Sequence, residues 1–514
     1  MAVENEKIEE KIEEKKNGVH SHTHAVAEPY SIFDKRQKAL IVFIAATAAT
    51  FSGFASNIYF PSLATISEDL GVSVELVNLT ITSYLIFQGL APSIWGPLSD
   101  AKGRRVTYFF TFLVFLGACI GLAETPNYAT LIVLRSVQSS GSASTIAVGA
   151  AVIGDITTRD ERGGYMGIFQ AGLLAPVAVG PVIGGALANS LGWRAVFWFL
   201  AIYCGAFLVV LIISLPETLR TVVGNGSASP SNPIVRYPLT LYQRTTKIKF
   251  TTQAQPAQGA KKATIDIAGP IRILFSKQAA PLIIFLAIYY AVWQMSITAV
   301  SVLFAEIYNL SETQIGLTFI ANGAGSIIGT LITGKILDAD YKRVKAKHEA
   351  EISLSGAETE TEQSSEEQND DVNFPLETAR LRLLPVLALL QCASILVFGW
   401  TIRYHVHIAV PIVTTFITGW MVVSIVSVVT TYLIDVFPEH KAASSATVNL
   451  ARCLLAAGGT SIVTPIIGAV GVGWTFTIAV AAQLIAIVGL AIQWRFGGKW
   501  RVEAEAAKRE AALR

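Results

Sequence analysis

The chain has 514 residues, of which 52% are hydrophobic and 15% charged, with a net charge of +2 and a mean hydropathy of +0.51. Soluble domains are typically about a quarter charged, so this balance points to lipid as solvent, and a charge so near zero argues against nucleic acid as a partner. Cys119, Cys204, Cys392 and Cys453 all lie in apolar runs, where cysteine reads as a small buried hydrophobe and not as a disulfide or metal ligand.

Residues 1–37 are polar, with the charge-mixed run ENEKIEEKIEEKK followed by HSHTHA. No apolar core precedes a cleavage site, so this is no secretory signal, and His20, His22 and His24 read as part of a disordered cytoplasmic tail. A bilayer-crossing helix needs roughly 20 mostly apolar residues. Such segments occur near 38–60, 77–95, 106–123, 128–151, 164–187 and 196–215. After a polar interval they recur near 279–305, 314–337, 383–402, 408–434, 442–467 and 473–494. The expected fold class is therefore an all-α membrane protein of about twelve transmembrane helices in two six-helix halves. The halves are placed at 38–218 and 278–494, with a cytoplasmic linker at 219–277 and a cytoplasmic tail at 495–514. A second loop, 338–382, carries the acidic tract EAEISLSGAETETEQSSEEQNDD, which has almost no apolar content and is expected to be disordered.

Lysine and arginine orient the spans. The loops after spans 1, 3, 7 and 11 contain neither, whereas those after spans 2, 4, 8 and 10 carry Lys102, Arg104 and Arg105, then Arg159 and Arg162, then Lys342, Arg343, Lys345 and Lys347, then Lys441. The positive-inside rule puts those loops and both termini in the cytoplasm. Asn225-Gly226-Ser227 would then face the cytoplasm, while the sequon Asn309-Leu310-Ser311 falls in a short outer loop and is the candidate glycosylation site.

One charged knot interrupts this apolar chain. WGPLSDAKGRR follows span 2 and contains Gly96, Asp100, Gly103, Arg104 and Arg105; after span 8, Gly334, Asp338, Lys342 and Arg343 echo it. Recurrence at equivalent places marks an internal repeat, the architecture in which transporters place substrate at the repeat interface. Gly96 permits close helix approach and Gly103 a tight turn. Asp100 is suited to capping a nearby helix start and to pairing with basic residues. Asp155 and Arg162, in GDITTRDERG, are candidate partners. The cluster reads as a cytoplasmic latch that holds the halves and releases them; a plain positive-inside turn needs neither the glycines nor Asp100.

GPLSDAKGRR resembles the loop motif of the major facilitator superfamily, and the resemblance runs over about 37–500. LIVLRSVQSSGSAS resembles that family's second motif, with Arg135, Gln138 and Gly141 in place and Ser139 where glycine is usual. GIFQAGLLAPVAVGPVIGG resembles its antiporter motif through Gly167, Gly180, Pro181, Gly184 and Gly185, with Pro176 replacing a glycine. SNIYFP, VIGDIT, FWFL, LPETLR and RCLLAAGG are similar to the fungal drug:proton antiporters with twelve spans, and within them to the branch containing citrate exporters. The resemblance implies export by antiport, with protons as coupling ion and the plasma membrane as location, a vacuolar membrane being the alternative.

Charges inside the membrane are costly and mark functional sites. Arg135 lies two turns into span 4 and Arg452 near the middle of span 11, each with an amide one turn away, Gln138 and Asn449. Asp100, Asp155, Asp338 and Asp435 sit at the cytoplasmic edge, and Glu124 and Glu306 at the outer edge, so no carboxylate shares the depth of the arginines. Guanidinium forks match carboxylates. Arg135, Gln138, Asn449 and Arg452 are thus the expected substrate or coupling residues, with ordinary helix–helix hydrogen bonding as the bland alternative. The expected substrate is an organic anion or drug-like metabolite. A multidrug:proton antiporter and a non-transporting membrane receptor are the other readings. There is no nucleotide loop, metal-ligand cluster, or nucleophile with its base, so neither an enzyme nor a cofactor is expected.

Overall fold

A computed structural model gives the fold, and it describes residues 29–228, 236–248, 269–355, 375–437 and 441–513. Among these residues twelve long helices follow one another: α1 (Lys35–Asn57), α2 (Val74–Lys102), α3 (Arg104–Ala123), α4 (Tyr128–Ile156), α5 (Arg159–Leu191) and α6 (Arg194–Ser214), then α7 (Ala280–Tyr308), α8 (Glu312–Ser355), α9 (Leu384–Arg403), α10 (Ala409–Val436), α11 (Lys441–Val470) and α12 (Val472–Leu513). Helices dominate because a chain in lipid must satisfy its backbone polar groups internally. Local sequence sets their ends. Asp34 with Gln37 and Thr158 with Glu161 form capping boxes on α1 and α5. The Asn127 side chain accepts from Thr130 N at 3.0 Å to start α4. Large apolar side chains point outward, among them Phe43, Ile202 and Ile485, as expected of a surface solvated by lipid.

Eleven of these helices, among the described residues, are long and apolar enough to cross a membrane; α4 is the exception. The run RSVQSSGSAS dilutes its hydropathy. Its polar side chains are nevertheless enclosed by protein: Arg135, Gln138, Ser139, Ser142 and Ser144 are all buried. A helix whose polar face is covered by neighbours remains compatible with lipid on its other face.

Three boundaries depart from the sequence reading. Helix α8 does not end at the charged loop but continues to Ser355, and α12 runs to Leu513 through the stretch expected to be a tail. Both extensions are rich in Ala, Lys and Glu, strong helix formers, and Lys499 lies 3.9 Å from Glu503 one turn later. The rest of the acidic tract, 356–371, lies outside the described residues. The linker is also partly folded. Ile32 N donates to Asn225 O at 3.0 Å, Thr246 Oγ1 donates to Ile32 O at 2.6 Å, and the Arg220 guanidinium sits 3.6 Å above the Tyr30 ring. Segments 29–34, 219–228 and 236–248 thus form a collar on the first half. Tyr242 donates its hydroxyl to Ser214 O at 2.9 Å, and burial pushes that phenol up to about 12.

Packing repeats with an offset of six helices. The pairs α1–α5, α2–α4, α3–α4 and α3–α6 of the first half recur as α7–α11, α8–α10, α9–α10 and α9–α12 in the second. The halves meet along two seams, α2–α11 and α5–α8, which exchange under the same offset. This is the internal repeat expressed as contacts.

The seams are closed toward the face that carries the loops after α1, α7 and α11. There Asn78 Nδ2 donates to Thr464 Oγ1 at 2.8 Å and Thr82 lies 2.8 Å from Ser461, Thr65 donates to Glu312, and Phe60 stacks on Phe319 at 6.0 Å. At the opposite, basic face the space in front of Gly96, Gly164, Gly167 and Gly334 is empty to 4 Å among the described residues. The molecule is therefore open toward its basic loops.

Candidate functional site

The knot after α2 is organised around a backbone that only glycine tolerates. Gly103 has φ +111°, and a Cβ there would lie 2.5 Å from Glu217 Oε2. Breaking the chain at Gly103 exposes the N–H groups that start α3, and Glu217 caps them. Its carboxylate accepts from Arg104 N at 2.9 Å and Arg105 N at 3.2 Å, and from Thr218 N and Leu219 N at 3.0 Å each. The residue is fully buried. Asp100 therefore does not cap this helix, as the sequence reading had it; Glu217, from LPETLR, occupies the positive end of the dipole. Asp100 instead pairs with Arg104. Arg104 bridges on to Asp155 with Nε 3.0 Å from Oδ2. Arg162 joins no carboxylate among the described residues: it donates to Gly154 O and Thr157 O at 3.2 Å each and so closes the end of α4. Arg105 donates to the carbonyls of Tyr237 and Ile212.

In this state the cluster binds α2, α3, α4 and 217–220 of one half. Gly96 makes no close helix approach, because the halves are parted at that end. The echo in the second half is chemically similar but structurally different. No glycine follows Asp338 at the equivalent of Gly103, so α8 runs straight through it. The Asp338 side chain lies outside the described ones.

The glycines of α5 divide between two faces. Gly172, Pro176, Gly180 and Gly184 recur every four residues and press on α1: a Cβ at Gly184 would lie 2.0 Å from Ile58 O. Ala178, Pro181 and Gly185 form the adjacent stripe and meet α8. A Cβ at Gly185 would be 2.2 Å from Glu312 O, one at Gly316 would be 2.3 Å from Pro181 O, and one at Gly323 would be 2.3 Å from Ala178 Cα. Gly167 belongs to neither contact and faces the open end. Asn309, the sequon residue, is an exposed left-handed cap at the end of α7, with φ 51°.

Arg135 and Gln138 share a face, as their spacing predicts: Arg135 Nη1 donates to Gln138 Oε1 at 2.7 Å and to Ala55 O at 3.1 Å. Sequence reasoning missed the walls around this arginine. Its guanidinium lies between Tyr59 and Tyr84, 4.3 and 4.4 Å from their ring centres. The side chain is enclosed within the first half, and it belongs to no ion pair among the described residues.

Arg452 is held less tightly, on the second half, and the structure does not bring it into contact with Arg135. Its Nη2 donates to Asn449 Oδ1 at 2.9 Å and its guanidinium lies 5.0 Å from the Tyr290 ring centre. Asn449 Nδ2 crosses the α2–α11 seam to Gln88 O at 3.1 Å. Arg452 stays partly exposed, and it makes no ion pair among the described residues. Along α7, Tyr290 leads to Trp293 with ring centres 5.1 Å apart, and Trp293 lines a cleft between α7, α8 and α10. A guanidinium free of carboxylate among the described residues, an aromatic shelf and a largely apolar cleft with a few polar side chains thus follow one another on the second half. No group of three or more metal-ligating side chains occurs among the described residues.

Comparison with known proteins agrees with this architecture. The chain is 37% identical over 474 residues to citrate exporter 1 of Aspergillus niger, covering 92% of this chain and 88% of that one. It is 35% identical over 462 residues to multidrug transporter QDR2 of Candida glabrata, covering 88% and 79% respectively. Its fold is similar to a partially occluded, inward-open structure of the xylose transporter XylE from E. coli, with TM-score 0.59, 14% identity, and coverage of 90% of this chain and 98% of that one. The family description of the Major Facilitator Superfamily matches residues 45–348, and this multi-pass membrane protein belongs to that family.

Proposed function

We propose that the protein exports a small organic acid by alternating access, from the cytoplasm and across the plasma membrane, with proton antiport as the driving reaction. The observation that carries this reading is Arg452: a guanidinium deep in a helix bundle, on a partly exposed side chain, bound to an amide and a ring and to no carboxylate among the described residues. Such a group lacks its natural counter-ion, and a substrate carboxylate supplies one by a bidentate, charge-assisted pair. Arg135, stacked between two tyrosines, adds positive potential from the first half. Citrate exporter 1, similar over most of both chains, supports the same substrate class. With the basic loops in the cytoplasm, the open end faces the compartment where such acids are made, the state in which an exporter loads. The knot around Arg104 then serves as the cytoplasmic latch, engaging the second half when the open end closes. Asn309, exposed on the outer side, is the glycosylation site of this topology.

A second reading, a broad drug:proton antiporter, has its own support in the similarity to multidrug transporter QDR2 and in the aromatic shelf Tyr290–Trp293. Efflux of radiolabelled citrate, itaconate and a cationic dye from loaded cells separates the two. The wild type is compared with Arg452→Ala and Arg135→Ala at matched surface expression. Acid efflux lost in both variants, with dye never exported, is the expected result. Dye efflux that persists in both variants would overturn the acid reading in favour of the drug pump.

A further inference from the structure

The cleft on the second half holds one polar group whose state is fixed by chemistry. It is lined by Trp293, Ser296, Thr318, Asn322, Thr415 and Thr418, together with apolar neighbours. Trp293 Nε1 lies 3.1 Å from Asn322 Oδ1. An indole N–H can only donate, so the amide must turn its oxygen to Trp293 and its NH2 group away. That Nδ2 is buried and has no hydrogen-bond partner among the described residues, on a side chain only 3% exposed. Buried donors without partners are rare and call for an explanation. The amide cannot rotate out of the way, because α10 packs Gly419 directly against it: a Cβ there would lie 2.6 Å from Asn322 Oδ1.

Every other polar donor in the cleft is already committed. Ser296 donates to Trp293 O at 2.7 Å, Thr318 to Ile315 O at 2.7 Å, Thr415 to Ile412 O at 2.7 Å and Thr418 to Thr414 O at 2.8 Å. These back-bonds to the preceding helical turn use up the hydroxyl hydrogens. Asn322 Nδ2 is the single unspent donor of the cleft among the described residues. The cleft borders the first half on one side and leads toward Arg452 on the other. Its Phe319 stacks on Phe60 of the first half, and its Trp293 continues through Tyr290 to Arg452.

From this we infer that Asn322, oriented by Trp293, forms a second recognition point for an oxygen acceptor of the substrate, so that the transporter prefers di- and tricarboxylates over monocarboxylates. This rests on the organic-acid reading: one carboxylate pairs with Arg452, and a second carboxylate or a hydroxyl oxygen accepts from Asn322 Nδ2. The aromatic shelf spans the interval between them. A monocarboxylate engages Arg452 and leaves the amide unsatisfied, which forfeits a charge-assisted hydrogen bond. Asn322 touches substrate; Trp293 acts through Asn322 and is a positioning residue.

The test measures concentration-dependent efflux of citrate and of lactate by wild type, Asn322→Ala, Asn322→Asp and Trp293→Phe at matched surface expression. Asn322→Ala is expected to raise the half-saturating citrate concentration about tenfold or more, with the maximal rate and the handling of lactate little changed. Asn322→Asp keeps an acceptor for Trp293 but turns a second oxygen toward the substrate, so it loses citrate efflux more completely. Trp293→Phe releases the amide orientation and gives a smaller loss of the same selectivity. Lactate efflux in each variant reports that the protein still folds and cycles. A wild type that exports both acids, with an unchanged citrate-to-lactate preference in Asn322→Ala, overturns the subsite while leaving the function intact. A wild type that moves neither acid overturns the function, and the polyacid subsite with it.

Discussion

Replacing Gly323 by alanine tests whether the α5–α8 seam is what holds the molecule in its present state. A Cβ at this position would sit 2.3 Å from both Cα and Cβ of Ala178. Carbon atoms rest at about 3.5–4.0 Å, so the two helices must separate by roughly 1 Å or more at that point. Nothing flexible can yield, since the blocking atoms belong to the backbone of α5 and its first side-chain carbon. Overpacking of this kind costs about 1–3 kcal/mol. The cost falls on the state with the seam closed and is relieved when the halves part there, which shifts the conformational equilibrium about 5–150-fold. The assay is the rate at which an impermeant maleimide, added from the closed side, modifies Thr82→Cys in a background lacking the four native cysteines. Thr82 lies on the companion seam, 2.8 Å from Ser461, and becomes reachable only when that side opens. Gly323→Ala is expected to raise labelling at least about fivefold. Gly117→Ala, on an exposed face of α3 with nothing within 4 Å, is expected to leave it unchanged. Labelling and transport both at wild-type levels in Gly323→Ala would refute the account of the seam.

Glu217→Gln removes the charge from a buried carboxylate that holds four backbone N–H groups, and is expected to cost about 2 kcal/mol, read as a lower midpoint of thermal unfolding in detergent. Arg135→Lys keeps the charge but cannot cover both tyrosine rings and both acceptors at once; transport is expected to fall more than about tenfold, measured as efflux at matched expression. Val344→Pro breaks the extension of α8, where proline costs about 3 kcal/mol. Trypsin is expected to cut faster at Lys345 and Lys347, with efflux retained, as seen by timed digestion and gel.

The twelve helices were legible because each is a long apolar run punctuated by caps and short charged turns, and even α4 could be read through its serines. Pairs within one helix were legible too: Arg135 with Gln138 and Arg452 with Asn449 follow from spacing alone, and both hydrogen bonds are made. What escaped the sequence is what depends on distant segments meeting. The tyrosines that sandwich Arg135 come from residue 59, just beyond α1, and from α2, at separations no periodicity reports. Glu217 reads locally as an ordinary helix-end acid, and its capping role appears only when residue 103 folds against it. The two stripes of α5 look like one glycine-rich run until α1 and α8 divide it. The extension of α8 was obscured by analogy with the first half, where a single glycine ends the helix and its counterpart does not.

The two seams differ in what they are made of. Between α5 and α8 the closest contacts are backbone on backbone, at Gly185, Gly316 and Gly323, so that contact works as a fulcrum: it holds one register or comes apart. Between α2 and α11 side chains meet: the amides of Asn78 and Asn449 donate across the seam, and its hydroxyls keep a second acceptor in their own helix, Thr82 on Asn78 O and Thr460 and Ser461 on Ala457 O. When these helices separate, each of these hydroxyls falls back on its own turn, while the two amides give up their partners. That side behaves as a zipper whose hydroxyl teeth stay satisfied open or shut. A carrier built this way gives up few hydrogen bonds when that seam opens, and the closeness of its other seam is set by how nearly a few glycines let two backbones lie.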